Sequence, residues 1–529
     1  MKRVVLLSFL VTVVLMLLFA PVLAAKAYTF KLATAWTVAS GRIDPAEQPK
    51  NKYWQYVAKT YGVVPYTQGI EADGPNADYI MALRLGLTGG ENYDAIDRPW
   101  DPVLLKELID NKMLKPLDTY LKLYGKELMG RISKDQWDLV RAMAPDGKIY
   151  FIPEVINVTG TAEACLGGYI RKDWLDKLGL KLPTTKEELV NVYRAFRDKD
   201  PNGNGLKDEI PISGRLGLRF CDELFAMYGV SMCDGYPEWH WDAKKKTMIC
   251  DQVSDEMKNA LIFIRDLVKE GLMDQTMVTQ SRADWVAKIN GNRVGHYVHM
   301  TGSVGDFSAF YADDPKAEWT YLPVPLVSGL PKQHMWRFAF GNPLFCITKY
   351  AKDPGKIIKW FNAGSTLAGS RYQTCGIPGL DWIRVDDGTP EGLVKQISVD
   401  AVAPVNTHKY LLGLYNNGTS YKLASREMFT SELDYRINGV TWYNIQVGMM
   451  KDGVLIPAND GMPAEIYDGY PDYVPSGSGL KYYVEFASKF VMGEPGATWD
   501  QYVKKWYDNG GKVVVDKATA WYKKVHKIK

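Results

Sequence analysis

Asp200-Pro201-Asn202-Gly203-Asn204-Gly205-Leu206-Lys207-Asp208-Glu209 is the stretch whose residue types and spacing could do the most definite chemistry. Oxygen-bearing side chains stand at its first, third and fifth positions, glycines between them allow a tight curl, and adjacent carboxylates close it. A hard cation that needs six or seven oxygens asks for that pattern, and calcium is its natural guest. The candidate ligands are the side chains of Asp200, Asn202, Asn204, Asp208 and Glu209, with Leu206 contributing its backbone carbonyl. The loop departs from the EF-hand because its twelfth position is Pro211 and not a bidentate Glu, which leaves closure to Asp208 and Glu209. The competing account is a pair of Asn-Gly turns with solvated acids, since Asn and Gly dominate turns for backbone reasons alone.

The elements around the loop must hold it in place. Thr185 with Glu188 forms a capping box, and Leu189, Val192, Tyr193 and Phe196 share one face of the helix it opens. Pro201 ends that helix and a strand from Ile210 to Ile212 follows, so a bound cation would pin helix to strand in a structural role. Nearer the start, strands at Tyr28 to Ala33, Val63 to Tyr66 and Tyr93 to Asp97 alternate with helices at Asn51 to Thr60 and Asp78 to Leu87. That alternation implies an α/β lobe with a largely parallel sheet, whose ligands approach the carboxyl ends of the strands. Further strands run from Lys148 to Pro153, Gly167 to Arg171 and Val294 to Met300, the last with Tyr297 and His299 on one face. Lys244 to Lys246 is a solvated hairpin tip, and the prolines from Tyr321 to Leu326 suit an extended crossing between lobes. From Glu391 onward the chain is mostly helical, and Thr498 with Gln501 reads as a second capping box, opening a helix that ends at Asn509-Gly510.

At 529 residues the chain exceeds the size at which a single core keeps growing, so two or more lobes are expected. Lys2 and Arg3 precede an uncharged run from Val4 to Ala25, which reads as a secretory signal cleaved after Ala24 or Ala27, or kept as an anchor. Cleavage after Ala27 removes Lys2, Arg3 and Lys26 from the 64 basic residues and none of the 61 acids, leaving a formal balance. A neutral protein argues against nucleic acid or an anionic membrane as the main partner. Export permits disulfides among Cys165, Cys221, Cys233, Cys250, Cys346 and Cys375, but buried free thiols are an equal reading, and the spacing suits no zinc site.

Several motifs, in conserved order, resemble the extracellular solute-binding proteins of carbohydrate ABC transporters, in particular the large family 1 type. They are Asp146-Gly147-Lys148-Ile149-Tyr150-Phe151-Ile152-Pro153, the run from Tyr169 to Gly179, Pro183-Thr184-Thr185 with Glu187-Glu188-Leu189, the Asp200 to Glu209 loop, Glu270 to Asp274 and Gly376 to Trp382. The resemblance implies an α/β, two-lobe periplasmic-binding-protein fold of type II with hinge crossings and a helical C-terminal region. It divides the chain into a signal at 1–27, lobe one at 28–155 and 321–410, and lobe two at 156–320 and 411–529. It implies structural calcium at the Asp200 to Glu209 loop, matched position by position. Two departures stand out: the segment from Leu87 to Ile96 lacks the Pro that the family often places there, and no lipid-attachment Cys follows the signal. The second leans toward a periplasmic or secreted location.

Sixteen Trp and 32 Tyr residues suit a saccharide cleft, because sugar C–H faces stack on aromatic planes while the hydroxyls need fixed donors and acceptors. The expected contacts are Trp36, Trp100, Trp336 and Trp382, with Arg98, Glu154 and His299 as polar partners; for each Trp, core packing competes with stacking. Arg171 and Asp173 read equally well as an ion pair between lobes. The leading function is a monomeric, non-enzymatic binding protein that closes on a sugar or oligosaccharide and delivers it to a membrane permease. The alternatives are a secreted, calcium-stabilised polysaccharide-degrading enzyme, which needs paired carboxylates flanking a glycosidic bond, and a peptide or lipid binder on the same scaffold.

Overall fold

The computed structural model describes residues 27–34, 50–70, 77–132, 134–153, 166–215, 217–233, 235–300, 308–337, 343–366, 368–369, 376–386, 393–397, 432–452, 454–455, 462–474 and 480–528. The signal segment, Trp36 and Glu154 lie outside these, as do Cys165 and Cys375.

Two separate hydrophobic cores organise the described chain. The first gathers Phe30, Leu32, Val57, Leu83, Ile96, Leu121 and Phe151 from the first part of the sequence with Phe345, Ile347, Trp360 and Phe361 from much later. It is built on strands β1 (Tyr28–Thr34), β2 (Val63–Gly69), β3 (Ala95–Asp97) and β4 (Phe151–Pro153). In the second lobe come β5 (Leu166–Arg171), β6 (His296–Met300) and β7 (Trp319–Leu322), and β8 (Pro343–Ile347) then returns to the first sheet. That sheet has the order β2-β1-β3-β8-β4. β1 runs parallel to β2 and β3, whereas β8 is antiparallel to β3 and β4. β3 and β8 are buried along their whole length, as central strands are.

The second core packs Leu189, Tyr193 and Phe196 of the helix Lys186–Asp198 against Leu224, Leu261, Ile264 and C-terminal residues such as Tyr483, Trp499 and Trp506. Its sheet, β6-β5-β7, is wholly antiparallel. A smaller aromatic cluster of Tyr169, Trp285, Tyr297 and Trp319 covers that sheet. The return from this lobe comes later than the sequence placed it: Leu322, Val324, Val327 and Met335 all pack into the second core. Val103, on the first-lobe helix Pro102–Asp110, also packs against it, so the lobes touch.

Local readings met four corrections. Thr185 and Glu188 form a complete capping box, but Thr498 makes no side-chain capping bond, although it does precede the helix Trp499–Trp506. The helix does not stop at Gly510: the chain kinks there at φ 118° and continues as Lys512–Val525. Ile210 and Ile212 form only single bridges, to Val294 and Met273, in place of a strand. Arg171 joins no two lobes either. Its buried guanidinium pairs with Asp173 (Nε to Oδ1 2.7 Å) within the second lobe and lies over the rings of Trp174, Phe310 and Trp319. Cys221, Cys250 and Cys346 are buried free thiols. Among the described residues no helix is long and apolar enough to cross a membrane.

Candidate functional site

One edge of the first sheet gathers the expected polar and aromatic groups. β1, β3 and β4 all end there and β8 begins there, with Phe345 opposite Asp97 and Pro343 opposite Pro153. The chain turns sharply after β3: Arg98 takes a left-handed φ of 49° and donates its N–H to the Leu344 carbonyl at 2.7 Å. A non-glycine residue held there stores backbone strain of about 1–3 kcal/mol, which the surrounding structure must offset. The Arg98 guanidinium is buried against Asp97, Nη1 reaching Oδ1 at 2.8 Å and Oδ2 at 3.0 Å. Asp97 also accepts from the Thr34 hydroxyl at 3.0 Å, and Tyr79 donates to the Asp97 carbonyl. Half-buried Trp100 follows, its N–H bonded to the Arg98 carbonyl at 2.8 Å. Trp36 and Glu154, expected beside them, lie outside the described residues.

In the second lobe the corresponding edge is where β5 starts and β6 ends, with His299 opposite Gly167. The His299 ring lies nearly parallel to Phe220 (4.5 Å between centroids, 14° between planes) and to Trp285 (5.6 Å, 17°). Arg215 caps this stack, its guanidinium 4.6 Å from the Phe220 ring, and Arg219 lies between Phe220 (5.1 Å) and Tyr236 (5.4 Å). Cations over aromatic faces hold both partners in fixed orientation. The turn presenting them carries Gly217, Leu218 and Phe220 at φ 71°, 79° and 64°. Backbone strain at two bulky residues concentrates where a structure holds side chains for use.

Sequence reasoning missed Arg215, Arg219, Phe220 and Tyr236. Phe and Leu give no sign in sequence that they will adopt left-handed conformations. Gly214 and Gly217 bracketing Arg215 were the available hint of a tight turn.

The remaining candidates lie elsewhere. Trp382 is 8% exposed and donates its indole N–H to the Gly376 carbonyl at 2.9 Å, folded into its own hairpin. Trp336 belongs to a short strand paired with Val454, and its side chain lies outside the described set.

The Asp200 to Glu209 loop is tightly wound. Asp200, at φ 45°, accepts from the N–H groups of Gly203 (2.9 Å) and Asn204 (3.1 Å) on Oδ1 and of Gly205 (3.1 Å) on Oδ2. Asp208 Oδ1 accepts from the side-chain amides of Asn202 (3.2 Å) and Asn204 (3.0 Å), and Arg293 Nε lies 3.2 Å from Oδ2. Glu209 is only 7% exposed, and both its carboxylate oxygens are buried without a well-aligned hydrogen bond. Burial pushes its pKa up, nearby backbone N–H groups pull it down, and Asp200 and Asp208 push it up further. A buried carboxylate beside two other acids is costly without a compensating positive charge, so the residues fit a cation. Among the described residues no three His, Cys, Asp or Glu side chains alone could hold a metal, so Asn202, Asn204 and the Leu206 carbonyl would have to complete the set.

Loop and aromatic wall lie on one run of chain laid along another. Ile210 N–H bonds to the Arg293 carbonyl (2.7 Å), Gly295 N–H to the Ile210 carbonyl (3.0 Å), Ser213 N–H to the His296 carbonyl (3.1 Å) and Val298 N–H to the Phe220 carbonyl (3.3 Å).

Known proteins share this architecture. The chain is 26% identical over 351 residues to the fructooligosaccharide ABC transporter substrate-binding protein FusA of Streptococcus pneumoniae, an alignment spanning 63% of this chain and 61% of that protein. It is 23% identical over 388 residues to the polygalacturonan/rhamnogalacturonan-binding protein YtcQ of Bacillus subtilis, covering 70% of this chain and 69% of that one. The solved structure of S. pneumoniae FusA in complex with kestose superimposes with a TM-score of 0.71 at 21% identity, over 95% of this chain and 100% of that one, which establishes the two-lobe fold. Residues 46–364, more than half of the chain, match the model of the bacterial extracellular solute-binding proteins, and the chain belongs to that family.

Proposed function

We propose that this protein captures a sugar or oligosaccharide between its lobes, outside the cytoplasm, and delivers it unaltered to the permease of an ABC importer. The observation that carries the reading is the lobe-two edge, where the half-buried rings of His299 and Tyr236 stand beside the guanidinium groups of Arg215 and Arg219, with His299 backed by the buried rings of Phe220 and Trp285. Flat apolar faces flanked by fixed donors are what a pyranose or furanose ring requires. Arg98 and Trp100 stand at the end of the first sheet where β1, β3 and β4 finish. Membership of the family supports the reading, as do relatives named for fructooligosaccharide and polygalacturonan/rhamnogalacturonan ligands.

The test is a melting screen of the purified protein against neutral and acidic oligosaccharides, with the sugars recovered and analysed afterwards. Stabilisation by at least one sugar, recovered intact, is the expected result. A ligand present at about a hundred times its Kd stabilises by about 2.7 kcal/mol, enough to read as a clear rise in Tm. Cleavage of the sugar would replace the reading with an enzymatic one.

The same reading includes calcium in the Asp200 to Glu209 loop, held by Asp200, Asn202, Asn204, Asp208, Glu209 and the Leu206 carbonyl. The buried carboxylate of Glu209 supports it. The ion would supply the positive charge that this carboxylate needs to stay ionised.

A further inference from the structure

We propose that Asn202-Gly203 and Asn204-Gly205 form a latent deamidation site that Asp200 holds in check. An asparagine followed by glycine is the sequence most open to this reaction, because glycine has no Cβ to obstruct its own backbone nitrogen. That nitrogen gives up its proton to hydroxide and attacks the asparagine Cγ, a ring N–C bond forms, and the departing amide nitrogen takes a proton back from water. The Cγ–Nδ2 bond breaks, ammonia leaves, and water opens the resulting succinimide to aspartate or isoaspartate. Asn204, Gly203 and Gly205 are all exposed, so water is at hand.

The geometry disarms both attacking nitrogens with one side chain. The Gly203 N–H is bonded to Asp200 Oδ1 at 2.9 Å and the Gly205 N–H to Asp200 Oδ2 at 3.1 Å. A carboxylate is far too weak a base to remove an amide proton, so these charge-assisted bonds do not activate the nitrogens. They hold each one aimed at Asp200 and away from the neighbouring Cγ. The asparagine side chains are also restrained: Asn202 Oδ1 accepts from the Asn204 N–H at 3.0 Å, and Asn204 Oδ1 from the Leu206 N–H at 2.7 Å. Asn202 has a further tie, its amide donating to the Asn292 carbonyl at 3.3 Å, so Asn204 is the weaker of the two. Reaction at Asn204 would remove the amide that now donates to Asp208 at 3.0 Å and set a carboxylate there in its place. The guard therefore preserves the charge pattern of the loop as well as its backbone.

Peptide mass spectrometry of the full chain, aged in mildly alkaline buffer with chelator present, tests this without depending on any bound ion. In the folded protein both pairs should deamidate at least roughly tenfold more slowly than in the urea-unfolded chain, equivalent to about 1.4 kcal/mol of protection. Asp200→Ala should speed both pairs. Asp200→Asn, which keeps a single side-chain oxygen, should speed only one. The Asn509-Gly510 pair, in the distant kink of the C-terminal helices, serves as an internal clock that neither substitution changes. Equal rates in the folded and unfolded chains would overturn the proposal. So would a slower reaction in Asp200→Ala, which would make the carboxylate an activator, or wild-type rates at both pairs in Asp200→Asn. If Asp200→Ala does not fold, Asp200→Asn and the folded-against-unfolded comparison decide.

Discussion

Arg171 shows how much one side chain can hold. Its guanidinium is 1% exposed, bonded to Asp173 and to the Asn292 side-chain oxygen, and roofed by three aromatic rings. Lysine carries the charge but not the planar fork, and it would leave Asp173 and Asn292 partly unserved. Arg171→Lys is expected to cost about 1–3 kcal/mol in urea unfolding, the range for leaving a buried hydrogen-bonding group unpaired. His240 offers a pH-dependent counterpart. Burial pushes its pKa down, but the fully buried Asp251 carboxylate, 2.9 Å from Nδ1, more than offsets this and leaves it raised. A raised histidine pKa stabilises the fold below the ordinary value of about 6.5, and that stability is lost as pH rises through the folded value. The urea midpoint of the wild type should therefore fall over that window, and His240→Gln should flatten the fall.

At the scale of elements, the two Thr-x-x-Glu/Gln sequences make a matched experiment. In the first, the Thr185 side chain accepts from the Glu188 N–H and Glu188 returns the bond, so Thr185→Ala should cost about 1 kcal/mol. In the second, Thr498 makes no capping bond, and Thr498→Ala should fall within about 0.5 kcal/mol of wild type. A pattern of residue types could not separate them, because the difference is one of side-chain direction. The same limit applies to the candidate site. Strand and helix positions in lobe one were legible from alternation and capping residues, and they located Arg98 and Trp100 at the strand ends. The aromatic wall of lobe two was not legible beyond His299. Its other members come from a turn whose shape depends on Leu218 and Phe220 accepting conformations that their side chains disfavour. Trp382 shows the converse: it stood among the expected saccharide contacts, yet its indole N–H bonds back to the Gly376 carbonyl and the ring is buried.

For the whole molecule, the separation of the two cores has thermodynamic consequences. The Asp200 to Glu209 loop is tied to the second lobe, through Lys177, Asn292 and Arg293. If calcium occupies it, chelation should lower the melting temperature of the second lobe alone. Calorimetry should then show one transition moving down while the other stays in place, and Asp208→Asn should reproduce the effect in calcium buffer. Movement of both transitions together would mean that the lobes unfold as a unit, and no movement would return the loop to an ordinary turn. Length alone made two lobes legible, but not their assignment of residues 322–335, because an extended Pro-rich segment can pack on either side of a hinge.

The paired ribbons of residues 210–220 and 293–298 also bear on redesign. Transplanting the Arg215 to Phe220 turn from a relative would disturb the bond from the Val298 N–H to the Phe220 carbonyl, the rung that the turn shares with the strand that carries His299. The portable unit is the two ribbons and the oxygen-rich knot at their head, moved together.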